Sequence, residues 1–423
     1  MHIKNKQYVP NLIVITSYPE KGKIHGVETV GIASYTKNTL LSILKAAKKI
    51  KKNPHIVVLA EQINTEKENI YTDEGMKVYR IWKRGSILTY FQLTSKVLRF
   101  WQTKKILIEF ELSMFGHYLN LILFPLFLLL LKIFGKEIIF VSHQVVDDIG
   151  LISGHIGIEK NSFKADMINV FISFFYRLTL RCVSKVIVFE DYLKEKLSKF
   201  IDKEKIVVIP HGVESFKNVV KKDDARKILG LKDEFIILYF GFIAWYKGTD
   251  WIVEKIKNED IKLIIAGGAN PNHKDKKFYM NYVKNVTDQA EKTNGNIITT
   301  GFVEEKQIPL YFSACNLVVM PYRTLMSSSG PLSLALSFQK PFLISQPMEG
   351  IGRTKDFSEI MDKCKIELKD ICFDLSDNSF EKKISRLSEK KEFLKGLSTF
   401  SKMLNRKRSF EKIGNQYYQE IFL

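Results

Sequence analysis

The stretch LVVMPYRTLMSSSGPLSLALSFQKPFLIS, residues 317–345, decides the fold. Its first six residues, 317–322, have the length and apolar composition of a buried strand, and residues 341–345 are a second run of the same kind. Between the two runs, small polar residues and a proline precede an apolar helical segment. Buried strands joined by a helix lie parallel in a sheet that is covered on both faces. The stretch therefore predicts a strand–helix–strand unit of an α/β domain.

The same pattern continues along the chain. Other strand-like runs, separated by helical segments, occur at 11–19, 55–60, 77–82, 105–111, 137–143, 185–190, 235–242, 262–268 and 296–302. A chain of 423 residues is too long for one core, so we expect an α/β protein of two Rossmann-like domains that face each other across a cleft. The predicted domains are residues 1–212 and 213–401. The amphipathic C-terminal segment, about residues 402–423, is expected to pack back onto the first domain as a helix.

Composition narrows the class of protein. A hydrophobic fraction of 45% indicates a globular chain. A formal net charge of +19 is compatible with three kinds of partner, namely nucleic acid, an anionic membrane surface or phosphorylated substrates. The alternative is that the charge only keeps the protein soluble. The positive residues are spread out and form no stripe with aromatic residues, so nucleic-acid binding is not expected. The four cysteines lack C-x-x-C spacing, which predicts neither disulfides nor a zinc site and favours the cytoplasm.

The segment LNLILFPLFLLLLKIFG, residues 119–135, is almost uncharged. A spanning helix needs about 20 apolar residues, so a transmembrane span is the least favoured interpretation. A buried or half-buried helix of the first domain is the simplest one. The third is a helix that lies in the membrane interface. An anionic surface at the inner face of the membrane is therefore kept as an expected partner.

In open parallel sheets, ligands bind beyond the carboxyl ends of the strands, at the N-termini of the following helices. In the first half, the loop 17–36 has glycines at 22, 26 and 31 that allow backbone to approach a substrate. It lacks a G-x-G-x-x-G fingerprint, and a loop without a ligand role is the alternative. His143 ends a strand, where an imidazole serves in acid–base chemistry or donates to a sugar hydroxyl, or is only structural.

The second half has two stronger candidates. Gly241 ends a strand, and Lys247 lies at the start of the next helix. An ammonium group there is unfavourable unless an anion joins it, so we predict that Lys247 contacts a phosphate; a surface lysine is the alternative. Residues 328–332 begin a helix, with Pro331 in its first turn. The serines either cap this helix start, or their hydroxyls and the free amides bind a diphosphate. Together these residues predict a phosphate pocket in the second domain.

These motifs resemble the C-terminal half of the family 4 (group 1) retaining nucleotide-sugar glycosyltransferases. The motifs that carry the resemblance are VVIPHGVE, YFGFIAWYKGTDWI, IIAGG, GFVEEKQIPLYFSACNLVVMPYR and SSGPLSLALSFQKPFLIS. The resemblance is specific in residues 205–345 and weak before residue 130. It implies the GT-B fold, with an acceptor-binding first domain and a donor-binding second domain. It also implies transfer of a sugar to a glycan or glycolipid with retention of configuration, and neither a cofactor nor a metal.

Carried over to this chain, the resemblance makes His143 and Lys247 the catalytic residues. His143 would touch the transferred sugar, and Lys247, with the helix dipole, would stabilise the leaving diphosphate. Gly31 would approach the donor from the opposite domain. The implied diphosphate site comprises Gly31, Gly241, Lys247, Ser328, Ser329, Gly330 and Leu332.

The chain departs from the family pattern in two places. Phe242 stands where family members usually have an arginine, and Arg323 is a candidate compensating cation. Met326 and Leu334 stand where many members have two glutamates, the second of which contacts the ribose. The resemblance therefore leaves the base and the sugar of the donor open.

Three hypotheses for function follow. The first is a retaining glycosyltransferase in the synthesis of a polysaccharide or glycolipid. The second is a catalytically silent relative that binds a nucleotide sugar or acts as a scaffold, which the missing glutamates favour. The third is a nucleotide-sugar epimerase on the same fold, which would require acidic residues clustered in the cleft.

Overall fold

A computed structural model describes residues 9–25, 31–116, 118–216, 219–256, 261–270, 273 and 275–423, the side chain of His155 excepted. The chain divides into two compact units. The first unit comprises residues 1–147, 170–212 and 410–423, and the second comprises residues 148–169 and 213–409.

The first unit is built on an eight-stranded sheet. Its strands are β1 (Leu12–Thr16), β2 (Ile56–Glu61), β3 (Ile70–Asp73), β4 (Met76–Trp82), β5 (Lys105–Phe110), β6 (Glu137–Ser142), β7 (Lys185–Val188) and β8 (Ile206–Val208). They are arranged in the order β3-β4-β2-β1-β5-β6-β7-β8. Among the strand pairs that the structure describes in this sheet, only the edge pair β3–β4 is antiparallel. The central strands are buried apolar runs, as a sheet covered on both faces requires.

Helices cover both faces of this sheet. They are α1 (Gly31–Lys49), α2 (Thr89–Arg99), α3 (Tyr118–Ile133), α5 (Phe163–Cys182, from residue 170 onward), α6 (Asp191–Leu197) and α16 (Phe410–Phe422). The C-terminal helix α16 packs on α1, where Gly414 lies so close to Ser42 that a β-carbon would come within 2.5 Å. The hydroxyls of Tyr35 and Tyr417 are 3.0 Å apart in the same contact. The last helix therefore packs on the first unit, as the sequence predicted.

The second unit is built on a six-stranded parallel sheet. Its strands are β9 (Ile236–Phe240), β10 (Lys262–Ala266), β11 (Ile297–Thr299), β12 (Leu317–Met320), β13 (Phe342–Ser345) and β14 (Cys372–Phe373), in the order β11-β10-β9-β12-β13-β14. Its helices are α4 (Ser153–Ile156), α7 (Lys222–Ile228), α8 (Thr249–Ile256), α9 (Lys277–Glu291), α10 (Ile308–Ala314), α11 (Gly330–Ser337), α12 (Lys355–Cys364), α13 (Leu368–Ile371), α14 (Ser379–Glu389) and α15 (Lys391–Lys407). The strand order reverses between β9 and β12, so a ligand crevice is expected at their carboxyl ends.

The observed division differs from the predicted domain boundaries in two places. Residues 148–169 belong to the second unit, where Gly154 packs directly on the indole of Trp245. Residues 402–409 also belong to the second unit, because α15 continues to Lys407 and the Arg408 guanidinium forms a buried ion pair with Asp356. The C-terminal segment that returns to the first unit begins at residue 410.

The apolar segment 119–135 forms α3 of the first unit, with 16 residues in the helix. Within the described parts of the chain, no helix combines the length and the apolar composition needed to cross a membrane. One side of α3 faces the core, where Phe124, Leu128 and Leu131 are fully buried. The opposite side is exposed.

Candidate functional site

The loop after β9 positions Lys247. Strand β9 ends at Phe240, Gly241 follows with a φ of 112°, and a short 3₁₀ turn, Trp245–Lys247, leads through Gly248 into α8. Gly248 has a φ of 68°, and a β-carbon there would lie 2.0 Å from the carbonyl oxygen of Pro321. Only glycine fits this position, because any side chain would collide with the backbone after β12. The turn that carries Lys247 is thus packed tightly against the neighbouring strand end.

The amine of Lys247 lies where the two strand ends meet. A β-carbon on Gly241 would be 2.9 Å from Nζ and 3.7 Å from Cγ of Pro331, in the first turn of α11. The aromatic rings of Tyr246 and Tyr322 have their centroids 5.9 Å from Nζ. The structure therefore brings together Gly241, Lys247 and the start of α11, three parts of the predicted phosphate pocket.

Lys247 has an unsatisfied charge. No hydrogen bond or ion pair joins its amine to any residue in the described ranges, and its burial lowers the pKa to about 8. The positive end of the α11 dipole adds to this cost. A buried ammonium is stable only when an anion or acceptors compensate it. The site is therefore electrostatically suited to an anion.

The start of α11 is partly satisfied by its own cap. The Ser329 hydroxyl accepts a hydrogen bond from the Leu332 amide at 3.3 Å and lies 3.3 Å from the Tyr322 hydroxyl. Gly330 is exposed, and the space beside its α-carbon is open. Within the described part of the chain, the Gly330 amide has no hydrogen-bond acceptor. Ser328 is half-buried beside it. An incoming anion would find the Gly330 amide available, whereas the Leu332 amide is engaged.

Arg323 has a different role from the predicted one. Its guanidinium forms a bidentate ion pair with Asp250, at 2.7 and 2.8 Å, and donates to the Trp245 carbonyl at 2.6 Å. Burial by itself would raise the pKa of Asp250. The hydrogen bonds from Arg323 and Tyr282 outweigh this effect and hold the pKa of Asp250 below its usual value. The charge of Arg323 is already neutralised, so it does not replace the cation missing at Phe242. It holds the turn that carries Lys247.

Two candidate residues belong to the first unit. Gly31 begins α1, is exposed, and has open space where a β-carbon would stand; Gly26 of the same loop lies outside the described residues. His143 follows β6 and is buried, with Nε2 2.6 Å from a carboxylate oxygen of Glu109. Because a carboxylate only accepts hydrogen bonds, Nε2 is the donor. The rings of Tyr35 and Phe189 meet the imidazole edge-on, each at 5.0 Å between centroids.

Sequence reasoning missed Glu109, Asp250 and Tyr322. Glu109 is a charged residue inside an otherwise apolar strand, which is a usable signal. Its second carboxylate oxygen is buried without a partner in the described structure. Asp250 and Tyr322 carry no comparable signal, because their importance depends on the contacts with Arg323 and Ser329. Met326 and Leu334, at the positions of the family glutamates, are half-buried and supply no carboxylate.

Comparison with known proteins finds similarity in the part of the chain that contains this site. Residues 221–354, which contain the whole Lys247–α11 site, match the family described as Glycosyl transferases group 1. The chain is 32% identical over 112 residues to a GDP-mannose:glycolipid 4-beta-D-mannosyltransferase of Xanthomonas campestris pv. campestris. This match covers 25% of the chain and 29% of the relative, so the chain spans under a third of the length of the curated relatives it matches.

Solved structures resemble the chain over almost its full length. Sucrose-phosphate synthase from Thermosynechococcus elongatus superposes with a TM-score of 0.66 at 16% identity, covering 97% of this chain and 98% of that one. HepE from Anabaena, in complex with UDP-glucose, superposes with a TM-score of 0.60 at 14% identity and the same coverage. The fold is therefore GT-B. Residues 221–354 are the part of the chain that is similar to the group 1 glycosyl transferases.

Proposed function

We propose that this protein is a retaining glycosyltransferase that moves a sugar from a nucleotide-diphosphate donor to a glycan or lipid-linked acceptor. One observation carries the proposal: a buried, unpaired lysine amine meets the first turn of a helix at the switch point of a parallel sheet. That combination suits a diphosphate. The group 1 family match and the glycolipid mannosyltransferase relative support transfer to a glycolipid or polysaccharide.

The proposed chemistry uses the site to stabilise a leaving group. The bond between the anomeric carbon and the diphosphate oxygen breaks, and negative charge develops on the nucleoside diphosphate. Lys247 and the Gly330 amide are placed to stabilise that charge. The acceptor hydroxyl oxygen forms the new bond to the anomeric carbon and gives up its proton to the leaving diphosphate oxygen. We propose retention of configuration and no metal or other cofactor, on the resemblance to the family alone.

His143 and Gly31 complete the proposed roles from the first unit. His143 donates through Nε2 to Glu109, so in its neutral form Nδ1 is the acceptor nitrogen. We assign the His143 ring to contact with the transferred sugar, oriented by Glu109. Gly31 leaves room at the start of α1 for the donor.

A panel of donors tests the proposal. UDP-, GDP- and ADP-sugars are added separately, and the thermal shift is measured, because a ligand that binds only the folded state stabilises it. One nucleotide sugar should raise the melting temperature, and Lys247→Met should abolish the rise. Lys284→Met, which removes an exposed lysine of α9, is the matched control and should keep it. Equal shifts in both variants would contradict the assigned pocket.

Product analysis separates the three hypotheses. The binding donor is incubated with a lipid extract, and the sugar and the nucleotide are followed by mass spectrometry. A transferase gives a glycosylated lipid or glycan and a nucleoside diphosphate. A silent homologue, for which Met326 and Leu334 are the supporting observation, binds the donor and leaves it intact. An epimerase returns a nucleotide sugar of changed configuration.

A further inference from the structure

Three helices of the first unit lie side by side. The Tyr90 hydroxyl of α2 donates to the Asn120 carbonyl of α3 at 2.7 Å, and its ring stacks on Phe127 at 4.9 Å. On the other side of α3, the Lys132 amine donates to the Arg181 carbonyl of α5 at 2.8 Å. The helices α2, α3 and residues 170–182 of α5 therefore form one continuous layer on the sheet.

The outer side of this layer is apolar. On α3 the exposed residues recur every three or four positions, opposite the buried side. Phe91, Ile133 and Val170 are exposed at 74%, 70% and 70%. We define the apolar face as the exposed residues Ile87, Leu88, Phe91, Trp101, Tyr118, Leu119, Ile122, Leu123, Leu126, Leu129, Leu130, Ile133, Phe134, Val170 and Phe174.

The apolar face is not needed for the core of the unit. Phe124, Leu128 and Leu131 already bury the inner side of α3. Amphipathic surface helices normally have polar residues on the outer side. Isolated exposed apolar residues are ordinary, but a continuous patch across three helices marks an interaction surface. The helix α3, apolar on both sides, is therefore suited to a second apolar partner on its outer side.

The helical segments that carry most of the apolar face contain charged residues of one sign only. The sequences of α2, of α3 and of residues 170–182 contain no aspartate or glutamate. Their basic residues are Lys96, Arg99, Lys132, Arg177 and Arg181. Lys132, Arg177 and Arg181 are exposed. Such a rim of basic residues around apolar side chains complements anionic lipid head groups.

Aromatic residues lie at one end of the face. Phe134 follows α3. Just beyond it, the buried Lys136 amine donates to the Trp101 carbonyl at 2.9 Å, which ties the end of α3 to the segment after α2. The indole of Trp101 is exposed at 67%. Aromatic side chains with an apolar body favour the boundary between lipid tails and head groups. This end of the layer is suited to that depth.

We propose that the apolar face docks on an anionic lipid bilayer, with α3 lying in the plane of the interface. A second copy of the chain fits less well, because a two-fold interface would place this same basic rim against itself. At 16 residues, α3 is too short to span the bilayer and suits lying in it. The proposal does not depend on sugar transfer.

Vesicle flotation tests the proposal with the full chain. The protein should float with vesicles of phosphatidylglycerol and phosphatidylcholine, and it should float less with phosphatidylcholine alone or at high salt. The variant Phe91→Glu/Leu126→Glu/Val170→Glu changes one exposed residue on each helix and should need roughly tenfold more anionic lipid for half-binding. Ile228→Glu, at an equally exposed apolar residue of α7, should float like the unchanged protein.

Two further measurements keep the result unambiguous. Circular dichroism and the donor thermal shift must be unchanged in the triple variant, which shows that both units are folded. A protein that stays at the bottom of the gradient with anionic vesicles, or a triple variant that floats normally, overturns the proposal. If sedimentation velocity shows that the unchanged protein is a dimer and the triple variant a monomer, the face is an interface between two copies of the chain. That result also overturns the proposal.

Discussion

Arg323 and Asp250 form a bidentate ion pair between the loop after β12 and the start of α8, with N–O distances of 2.7 and 2.8 Å. The same guanidinium donates to the Trp245 carbonyl, and the Arg323 amide donates to the Tyr246 carbonyl at 2.8 Å. These contacts join the loops after the two strands that flank the switch point. The position of Lys247 therefore depends on a contact that neither loop makes alone.

The Arg323→Lys variant tests this supporting role. A lysine keeps the positive charge but cannot make the bidentate contact and the bond to the Trp245 carbonyl together. We expect a loss of about 1–3 kcal/mol in the free energy of unfolding, measured with urea, and weaker donor binding. If Arg323 were instead the compensating cation for the donor, the lysine variant would keep most of the binding.

The Lys247→Met variant should be more stable than the unchanged protein at neutral pH while losing donor binding. Burial lowers the pKa of Lys247 from 10.5 in the unfolded chain to about 8 in the fold. The gain in the free energy of unfolding should be about 1–3 kcal/mol below pH 8.

The pH dependence of that gain has a definite sign. Between about pH 8 and 10.5 the unfolded chain holds a proton on Lys247 that the folded protein has lost, so the stability of the unchanged protein rises with pH relative to the variant. The difference between the two should disappear above that window. Urea unfolding at pH 7, 9 and 10.5 measures it. A difference that does not vary with pH would contradict a desolvated amine.

The Gly248→Ala variant should disrupt the same turn. Its β-carbon would meet the Pro321 carbonyl oxygen, and its φ of 68° is unfavourable for alanine. Gly230→Ala is the matched control, because Gly230 has a φ of 67° and open space beside it. We expect the control to cost about 1 kcal/mol from backbone strain alone and Gly248→Ala to cost more. Only Gly248→Ala should weaken donor binding; equal effects would mean that the contact with Pro321 is unimportant.

The Gly154→Val variant tests residues 148–169, which the sequence placed in the first domain and the structure places in the second unit. A side chain at Gly154 would start 2.5 Å from the indole of Trp245, in the turn that carries Lys247. Displacing the indole should weaken donor binding severalfold, as isothermal titration calorimetry would show. Gly396→Val, at a helical glycine with open space beside it, is the control. Unchanged binding in Gly154→Val would separate this segment from the site.

The Glu109→Gln variant tests the positioning of His143. An amide at this position can present its oxygen to the His143 N–H only as a weaker, neutral acceptor. We expect a loss of about 1–2 kcal/mol in stability and a lower kcat for transfer, with donor binding unchanged. Glu137→Gln, at an exposed glutamate that begins β6, is the control. Full transfer activity in Glu109→Gln would make the pair purely structural.

The sequence predicted most of the strands because their signal is local. A run of β-branched and aliphatic residues buried on both sides of a parallel sheet is recognisable without its partners. The edge strand β3 was missed, since its four residues alternate between exposed and buried and pair antiparallel with β4. The short β14 was missed for lack of length.

The sequence by itself determined the α/β class, the order of strands and helices, and the placing of Lys247 and the serine-rich helix start after neighbouring strands. Only the tertiary structure decided which charges are satisfied. Arg323 finds its partner Asp250 across 73 positions, Gly154 packs on Trp245, and Lys247 finds no partner in the described chain. Whether a segment is buried can be read from residues that are adjacent in the sequence. The pairing of charges depends on distances between residues that are far apart in the sequence, and these distances exist only after the sheet has formed.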